Sequence, residues 1–355
     1  MDHLQVLKKQ KTKNHLVMIL TAVAVVVMAV VCLFVGSSGM SLSDALAGLF
    51  GKGTAAQVRI IRNIRIPRIL AAIIAGAGLS LSGHIMQTTL NNTMAAPSTL
   101  GVSNAAVFGA NLSIIAFSGG FLSTGGNVNN YGVGISPYAT GLMAFVFAMA
   151  SVLLILGLCT TRGFSPNVVV LSGIAMGAVW TAATTFLQYY ATDVGLSAAV
   201  VWSFGDLGRA TYTTDWIMLA VVAAGFVYFI CMSWRYNALL SGEAAAKTMG
   251  VNVEILRFVS LLLASMITAV CISVLGAIGF VGIICPHVAK KLLGQDHRVS
   301  LPASALMGSL LLLTADTLAR SLGSGSALPV GAVTSLLGAP FFIAIIFSRK
   351  ENRRC

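Results

Sequence analysis

The chain has 355 residues, of which 57% are apolar and only 9% are charged, and its net charge is +12. A chain of this length has room for one to three soluble domains, but no polar stretch is long enough to form one. Repeated apolar runs of about 20 residues, the length needed to cross a bilayer, instead predict an all-α polytopic membrane protein. This composition excludes a large soluble enzyme domain.

The chain opens with a basic segment, residues 1–15, which contains four lysines. An apolar run over residues 16–35 follows, and a cleaved secretory signal is one interpretation of this pattern. The run is longer than the apolar region of a signal peptide, and residues 36–39 form a poor cleavage site. We therefore expect a retained first span, a single transmembrane domain over residues 16–348, and a second basic tail over residues 349–355.

Hydropathy predicts ten membrane-spanning segments. Several of them are short, contain glycine, or begin at a proline, which is typical of packed and partly broken helices around a pathway. The predicted spans cover residues 16–36, 67–89, 95–118, 134–160, 165–190, 214–234, 255–276, 278–293, 300–319 and 328–348.

The distribution of basic residues predicts the orientation of these spans. If the lysine-rich N-terminal tail is cytoplasmic and every span crosses, 15 of the 22 basic residues lie inside and seven lie outside. This bias follows the positive-inside rule and places both termini in the cytoplasm. Five of the seven outside charges, however, crowd into the single loop before the second span.

Four of those five charges are arginines, which fall within ten residues at Arg59, Arg62, Arg65 and Arg68. One interpretation is that they reach lipid phosphates at the membrane surface, and we favour it for Arg59 and Arg62. Arg65 and Arg68 flank Pro67, which fixes the backbone at a helix start. Together with Arg320, which the same topology places outside, they are predicted to bind carboxylates of a docking protein.

A compact polar segment, residues 239–251, lies between the sixth and seventh spans on the predicted cytoplasmic side. Glu243 and Lys247 are four residues apart in the order that favours a helical ion pair, and Gly242 and Gly250 bracket one or two helical turns. A short helix of this kind is a natural contact for a partner subunit. A plain connector between two spans is the alternative.

The sequence carries little that indicates chemistry of its own. No phosphate-binding loop of the G-x-x-x-x-G-K-[ST] type is present, so ATP would have to be bound by another subunit. Asp316 is the only acidic residue that falls clearly within a predicted span, whereas ion-driven carriers more often hold ionisable groups near the midplane. His84 and Met86 point in different directions on a helix, and the six cysteines show no C-x-x-C spacing. We expect neither a catalytic group nor a metal site.

The fifth span is the candidate lining of a transport pathway. It places small residues beside polar ones, a pattern that suits either a weakly polar pathway or close helix packing. The polar residues assigned to the pathway are Ser172, Thr181 and Gln188.

Seven segments, in order and spread from about residue 59 to residue 348, resemble the transmembrane permeases of ABC importers for iron siderophores, cobalamin and haem, the FecCD type. They are Arg65-Ile-Pro-Arg68, AGAGLSLSGHIMQ at residues 75–87, AAPSTLGVSNAA at 95–106, GEAAAKTMGV at 242–251, GAIGFVGIICPH at 276–287, DTLAR at 316–320 and LPVGAVTSLLGAPFF at 328–342.

The resemblance implies a type II ABC importer permease fold, with ten spans in two related halves. It implies a dimer of permeases, as a homodimer or with a close paralogue, that works with two cytoplasmic ATPases and an extracytoplasmic binding protein. Binding-protein docking then falls to Arg65, Arg68 and Arg320. Contact with the ATPase falls to Gly242, Glu243, Ala244, Ala245, Gly250 and Val251, and the cytoplasmic gate to Asn92, Met94, Ser165 and Asn167.

Four positions depart from the family pattern. Thr93 stands where a proline is usual, Asn104 where a glycine often follows Gly-Val-Ser, Lys290 where an arginine is usual, and Ala327 where a glutamate is usual. These departures concern the gate and the cargo rather than family membership.

The resulting expectation is a permease in the cell membrane that imports ferric siderophores, has no cofactor and no enzyme activity of its own, and binds no nucleic acid. A permease for haem or cobalamin is the alternative within the family. An ion-driven secondary transporter and a membrane scaffold are the alternatives outside it.

Overall fold

The computed structural model describes residues 3–35, 42–117, 136–161, 164–322 and 328–348, and every regular element in these ranges is helical. Short 3₁₀ turns occur at Pro97–Leu100 and Leu207–Arg209, and π-helical turns at Ile61–Arg65 and Leu112–Ala116. The α-helices are α1 (His3–Phe34), α2 (Leu42–Leu49), α3 (Ala55–Ile60), α4 (Ile66–Thr89), α5 (Val102–Asn111), α6 (Pro137–Thr161), α7 (Pro166–Tyr189), α8 (Asp193–Ser203), α9 (Tyr212–Cys231), α10 (Ser233–Leu240), α11 (Glu243–Thr248), α12 (Val253–Leu275), α13 (Val281–Leu293), α14 (His297–Leu322) and α15 (Val330–Ser348).

Each of the ten predicted spans corresponds to a helix, but the helices differ in length. Among the described residues, seven are long and apolar enough to cross a membrane: α1, the continuous α3–α4 segment, α6, α7, α9, α12 and α14. The third predicted span is a 3₁₀ turn followed by the short α5, and α13 has only 13 residues. At 1.5 Å per residue α13 extends about 20 Å, less than the hydrocarbon thickness of about 30 Å. The third predicted span is therefore interrupted, and α13 is a short continuous helix that is mostly buried or half-buried.

Four helices were not predicted. The helices α2 and α3 lie in the loop before the second span, α8 follows α7, and α10 follows α9. The first helix also begins within the basic segment, at His3, so that segment continues the first span without a break in the described residues.

The core of the bundle is α4, which is buried along nearly its whole length and is contacted by α14, α12, α13 and α9. Its alanine, glycine and serine residues let neighbouring backbones approach closely. A Cβ atom on Gly76 would lie 2.4 Å from the carbonyl oxygen of Gly308 in α14, and one on Gly83 would lie 1.8 Å from that of Gly282 in α13. Glycine is therefore required at both contacts.

The two ends of α4 define two ends of the molecule. Arg65 and Arg68 lie at the start of α4, and Thr89 is its last residue. Because 24 helical residues extend about 36 Å, groups near Arg68 and groups near Thr89 lie on opposite sides of the bundle. We call these the arginine end and the Thr89 end.

Candidate functional site

At the arginine end, one carboxylate holds two of the predicted docking residues together. Arg68 Nε lies 2.8 Å from Asp316 Oδ1, and Arg320 Nε lies 3.0 Å from Asp316 Oδ2. Asp316 is 1% exposed, so both ion pairs are shielded from water. Arg68 Nη2 also lies 3.6 Å from Asp206 Oδ1, a side chain that is half exposed.

Arg320 and the third predicted docking residue, Arg65, bind carbonyl groups at the end of α1. Arg320 Nη1 donates to the carbonyl oxygens of Val35 (2.7 Å) and Cys32 (3.2 Å). Arg65 Nη1 donates to those of Phe34 (3.2 Å) and Leu33. The final carbonyls of a helix have no partner within it and carry a partial negative charge, so a guanidinium is well suited to cap them. Arg65 and Arg320 therefore attach α1 to the α4–α14 core, and Arg68 is joined to Arg320 through Asp316.

The sequence did not predict that these arginines bind partners within the protein. Arg65, Arg68 and Arg320 were predicted to be a docking rim, but all three side chains are buried, with exposed fractions of 4%, 8% and 7%. The four-residue spacing of Asp316 and Arg320 in one helix was the available signal for part of the cluster. The arginines that are exposed at this end are Arg59 and Arg62, which were predicted to contact lipid.

At the Thr89 end, the predicted contact segment contains the short helix α11. It is preceded by Gly242, at φ = 104°, and followed by Gly250, at φ = 81°, so both neighbours adopt backbone conformations that favour glycine. Ala246 and Val251 are buried and fix the segment to the bundle. The exposed residues are Gly242, Glu243, Ala244, Lys247, Thr248, Met249 and Gly250, and Ala245 is half-buried.

Glu243 has a different partner from the one expected. Its carboxylate binds Arg257 Nη2 in α12, and the described residues contain no ion pair between Glu243 and Lys247. Arg257 is 3% exposed and makes two further hydrogen bonds, from Nε to the carbonyl oxygen of Thr89 (2.9 Å) and from Nη1 to that of Phe164 (2.7 Å). No local sequence pattern indicates this role of Arg257, because its two carbonyl partners lie 168 and 93 residues away along the chain.

One predicted gate residue, Asn167, lines a cavity beside this arginine. This cavity of about 200 Å³ is lined by Asn91, Asn167, Glu243 and Arg257, among others. Asn167 was assigned to the gate and Glu243 to the ATPase contact. The structure places both residues in the lining of one cavity.

The other three gate residues are held by local contacts. Asn92 Oδ1 accepts a hydrogen bond from the Met94 backbone (2.9 Å), and Ser165 caps the start of α7. Met94 is half exposed.

Two of the three pathway residues on α7 form hydrogen bonds with side chains of α5. Asn104 Nδ2 donates to Thr181 Oγ1 (3.1 Å), and Gln188 Nε2 donates to Asn111 Oδ1 (3.1 Å). Asn104, a departure from the family pattern, thus forms a specific bridge between α5 and α7. Ser172 is half-buried, and the most exposed side chains of α7 are apolar or aromatic. The hydrogen bond to α5 favours the packing interpretation for the half-buried Gln188, whereas Thr181 is exposed.

A buried polar network joins α4 to α14. His84 Nδ1 lies 2.7 Å from Ser304 Oγ and its Nε2 lies 3.3 Å from Ser300 Oγ, while His297 Nε2 lies 2.9 Å from Thr88 Oγ1. Both nitrogens of His84 therefore have hydroxyl partners, which fits a packed histidine. Within the described part of the chain, no three His, Cys, Asp or Glu residues are placed to hold a metal ion.

Comparison with known proteins decides the family. The sequence model of the FecCD transport family matches residues 10–348. The chain belongs to this family. Three FecCD relatives are a hydroxamate-iron import permease of Bacillus subtilis (32% identity, covering 96% of this chain and 99% of the relative), a hemin transport permease of Yersinia pestis (35%, 91% and 94%) and a vitamin B12 import permease of Escherichia coli (34%, 81% and 83%).

A solved FecCD-like structure supports the same assignment. It is an ABC transporter described as metal-chelate type, in an inward-facing conformation, with a TM-score of 0.79 and 27% identity. The match covers 94% of this chain and 99% of that chain. Membership of an ABC importer permease family and the all-α polytopic fold are thereby confirmed.

Proposed function

We propose that this FecCD protein is the permease subunit of an ATP-driven importer of metal chelates, with ferric siderophores as its cargo. The observation that carries the proposal is the match of nearly the whole chain to permeases that import hydroxamate-bound iron, hemin and vitamin B12. The alternative cargoes are haem and cobalamin. No cofactor and no enzyme activity are assigned to this subunit.

The proposed partners are a second permease copy, two cytoplasmic ATPases and an extracytoplasmic binding protein. The absence of a phosphate-binding loop in the sequence supports a separate ATPase. The exposed surface of α11, between two glycines, supports this helix as the ATPase contact. Apolar residues on the open face of α7, such as Leu171 and Phe186, support contact with a second copy at that face.

Docking of the binding protein is proposed at the arginine end. Arg65, Arg68 and Arg320 remain the proposed residues, and the half-exposed Asp206 beside Arg68 marks where this cluster reaches the surface. A binding protein with acidic residues would have to reach guanidinium groups that already hold internal partners. The exposed Arg59 and Arg62 provide positive charge around them.

The test is reconstitution of the full-length permease in vesicles with its ATPase and binding protein, followed by uptake of radiolabelled ferric siderophore, haem and cobalamin. We expect uptake of the siderophore that requires ATP and persists when ionophores remove the ion gradients. Uptake of only haem or only cobalamin would replace the proposed cargo. Uptake that follows an ion gradient without ATP would contradict the importer assignment.

A further inference from the structure

Arg257 is a buried cation that joins three separate parts of the molecule. Its guanidinium contacts the last residue of α4 through the Thr89 carbonyl, the turn before α7 through the Phe164 carbonyl, and α11 through the Glu243 carboxylate. Burying a charge is costly unless it is paired and hydrogen-bonded. These three partners, drawn from three segments, supply that compensation.

The residue type fits this task. A guanidinium offers five N–H donors in a rigid planar fork, so one side chain can hold three acceptors in fixed relative positions. A lysine in the same place would keep the charge, but its single ammonium group could not span the three acceptors.

The two carbonyl contacts lie at the cytoplasmic ends of the proposed pathway. Thr89 immediately precedes the 90–94 segment that holds Asn92 and Met94. Phe164, at φ = 38°, is strained for a residue with a side chain and lies directly before Ser165, the cap of α7. A displacement of Arg257 would therefore reach both gate segments.

The third contact is the one most easily changed. The Glu243 side chain is 49% exposed, whereas that of Arg257 is 3% exposed. A Cβ atom added at Gly242 or Gly250 would have no other atom within 4 Å. The two ends of α11 are therefore not packed against the bundle at these positions. Ala246 and Val251 hold the segment by apolar contacts, and the Glu243 ion pair is its polar side-chain connection to the bundle among the described residues.

We infer that Arg257 is the positioning residue that transmits movement of α11 to the ends of α4 and α7. This inference rests on the proposed role of α11 as the ATPase contact. In this role Arg257 acts through the segments that it holds and not through contact with ATP or cargo. It makes the position of α11 and the positions of the two gate segments depend on each other.

The first test measures cargo uptake per ATP hydrolysed in the reconstituted complex. We expect Arg257→Lys to retain binding of the ATPase but to lower uptake per ATP about tenfold or more, the factor that corresponds to loss of one charge-assisted hydrogen bond. Glu243→Ala is expected to lower the same ratio. Arg298→Lys and Glu254→Ala are the matched controls, because both residues are exposed at the same end of the molecule.

The second test needs neither ATPase nor cargo. Spin labels at Thr93 and Thr248, with the reactive native cysteines replaced by serine, report the distance between a gate segment and α11. We expect a narrow distribution of distances in the parent and both controls, and a broad one in Arg257→Lys and Glu243→Ala. If Arg257→Lys fails to fold, Glu243→Ala decides both tests. That variant removes the ion pair and keeps the native Arg257 side chain.

Unchanged uptake per ATP together with a narrow distance distribution in these variants would overturn the inference. A parent protein that binds no ATPase would instead overturn the proposed function. In that case the distance measurement would still show whether Arg257 holds α11 to the gate segments.

Discussion

At the scale of single residues, Asp316 is the group on which the arginine end depends. It forms ion pairs with both Arg68 and Arg320, and Arg320 in turn caps the last carbonyls of α1. We expect Asp316→Asn to lower the free energy of unfolding by about 3 kcal/mol or more, because removing one partner leaves buried charges without compensation. Thermal unfolding of the purified protein in detergent measures this effect.

Asp206→Asn is the matched control for this substitution. Asp206 is half exposed and lies 3.6 Å from Arg68, and ion pairs of that kind contribute about 0–1 kcal/mol. Equal unfolding temperatures for the two variants would show that Asp316 does not hold the cluster together.

At the scale of helices, the close approach of α4 to α13 depends on a pair of glycines. A Cβ on Gly83 would lie 1.8 Å from the Gly282 carbonyl oxygen, a distance that forces the two backbones apart. We expect Gly83→Ala to destabilise the protein by about 1–3 kcal/mol, the usual cost of overpacking, or more because backbone atoms are displaced. The yield of monodisperse protein after gel filtration and the unfolding temperature are the measurements.

Gly157→Ala provides the comparison within the same fold. Gly157 lies in α6, and a Cβ there would meet no atom within 4 Å. Alanine favours a helix over glycine by about 1 kcal/mol, so this variant should be neutral or slightly more stable. Destabilisation of both variants to the same degree would indicate that the α4–α13 contact does not depend on glycine at position 83.

The helices also show where sequence reasoning succeeds and where it stops. Long apolar runs locate α6, α7, α12 and α14 because hydropathy reports the length that crosses a bilayer. The short α13 was predicted as a full span because an apolar segment buried in protein has the same composition as one that faces lipid.

At the two candidate sites, some contacts could be predicted from the sequence and others could not. The ion pair between Asp316 and Arg320 could be anticipated, since four-residue spacing in a helix is a local property. Burial of Arg65 depends on the end of α1, and the three contacts of Arg257 join segments up to 168 positions apart. Such contacts depend on the tertiary fold. Asp215, in the first turn of α9, is a second buried acidic residue that the span prediction placed only at an edge.

At the scale of the whole molecule, the length of α4 separates the two ends by about 36 Å, so one end must face the cytoplasm and the other the outside. The excess of basic residues predicts that Lys247, beside α11, is cytoplasmic and that Lys52 is outside. We expect a membrane-impermeant thiol reagent to label Lys52→Cys in intact cells and Lys247→Cys only after permeabilisation, with Cys231 and Cys355 replaced by serine. Labelling in the reverse order would invert the topology and place α11 where no cytoplasmic ATPase could reach it.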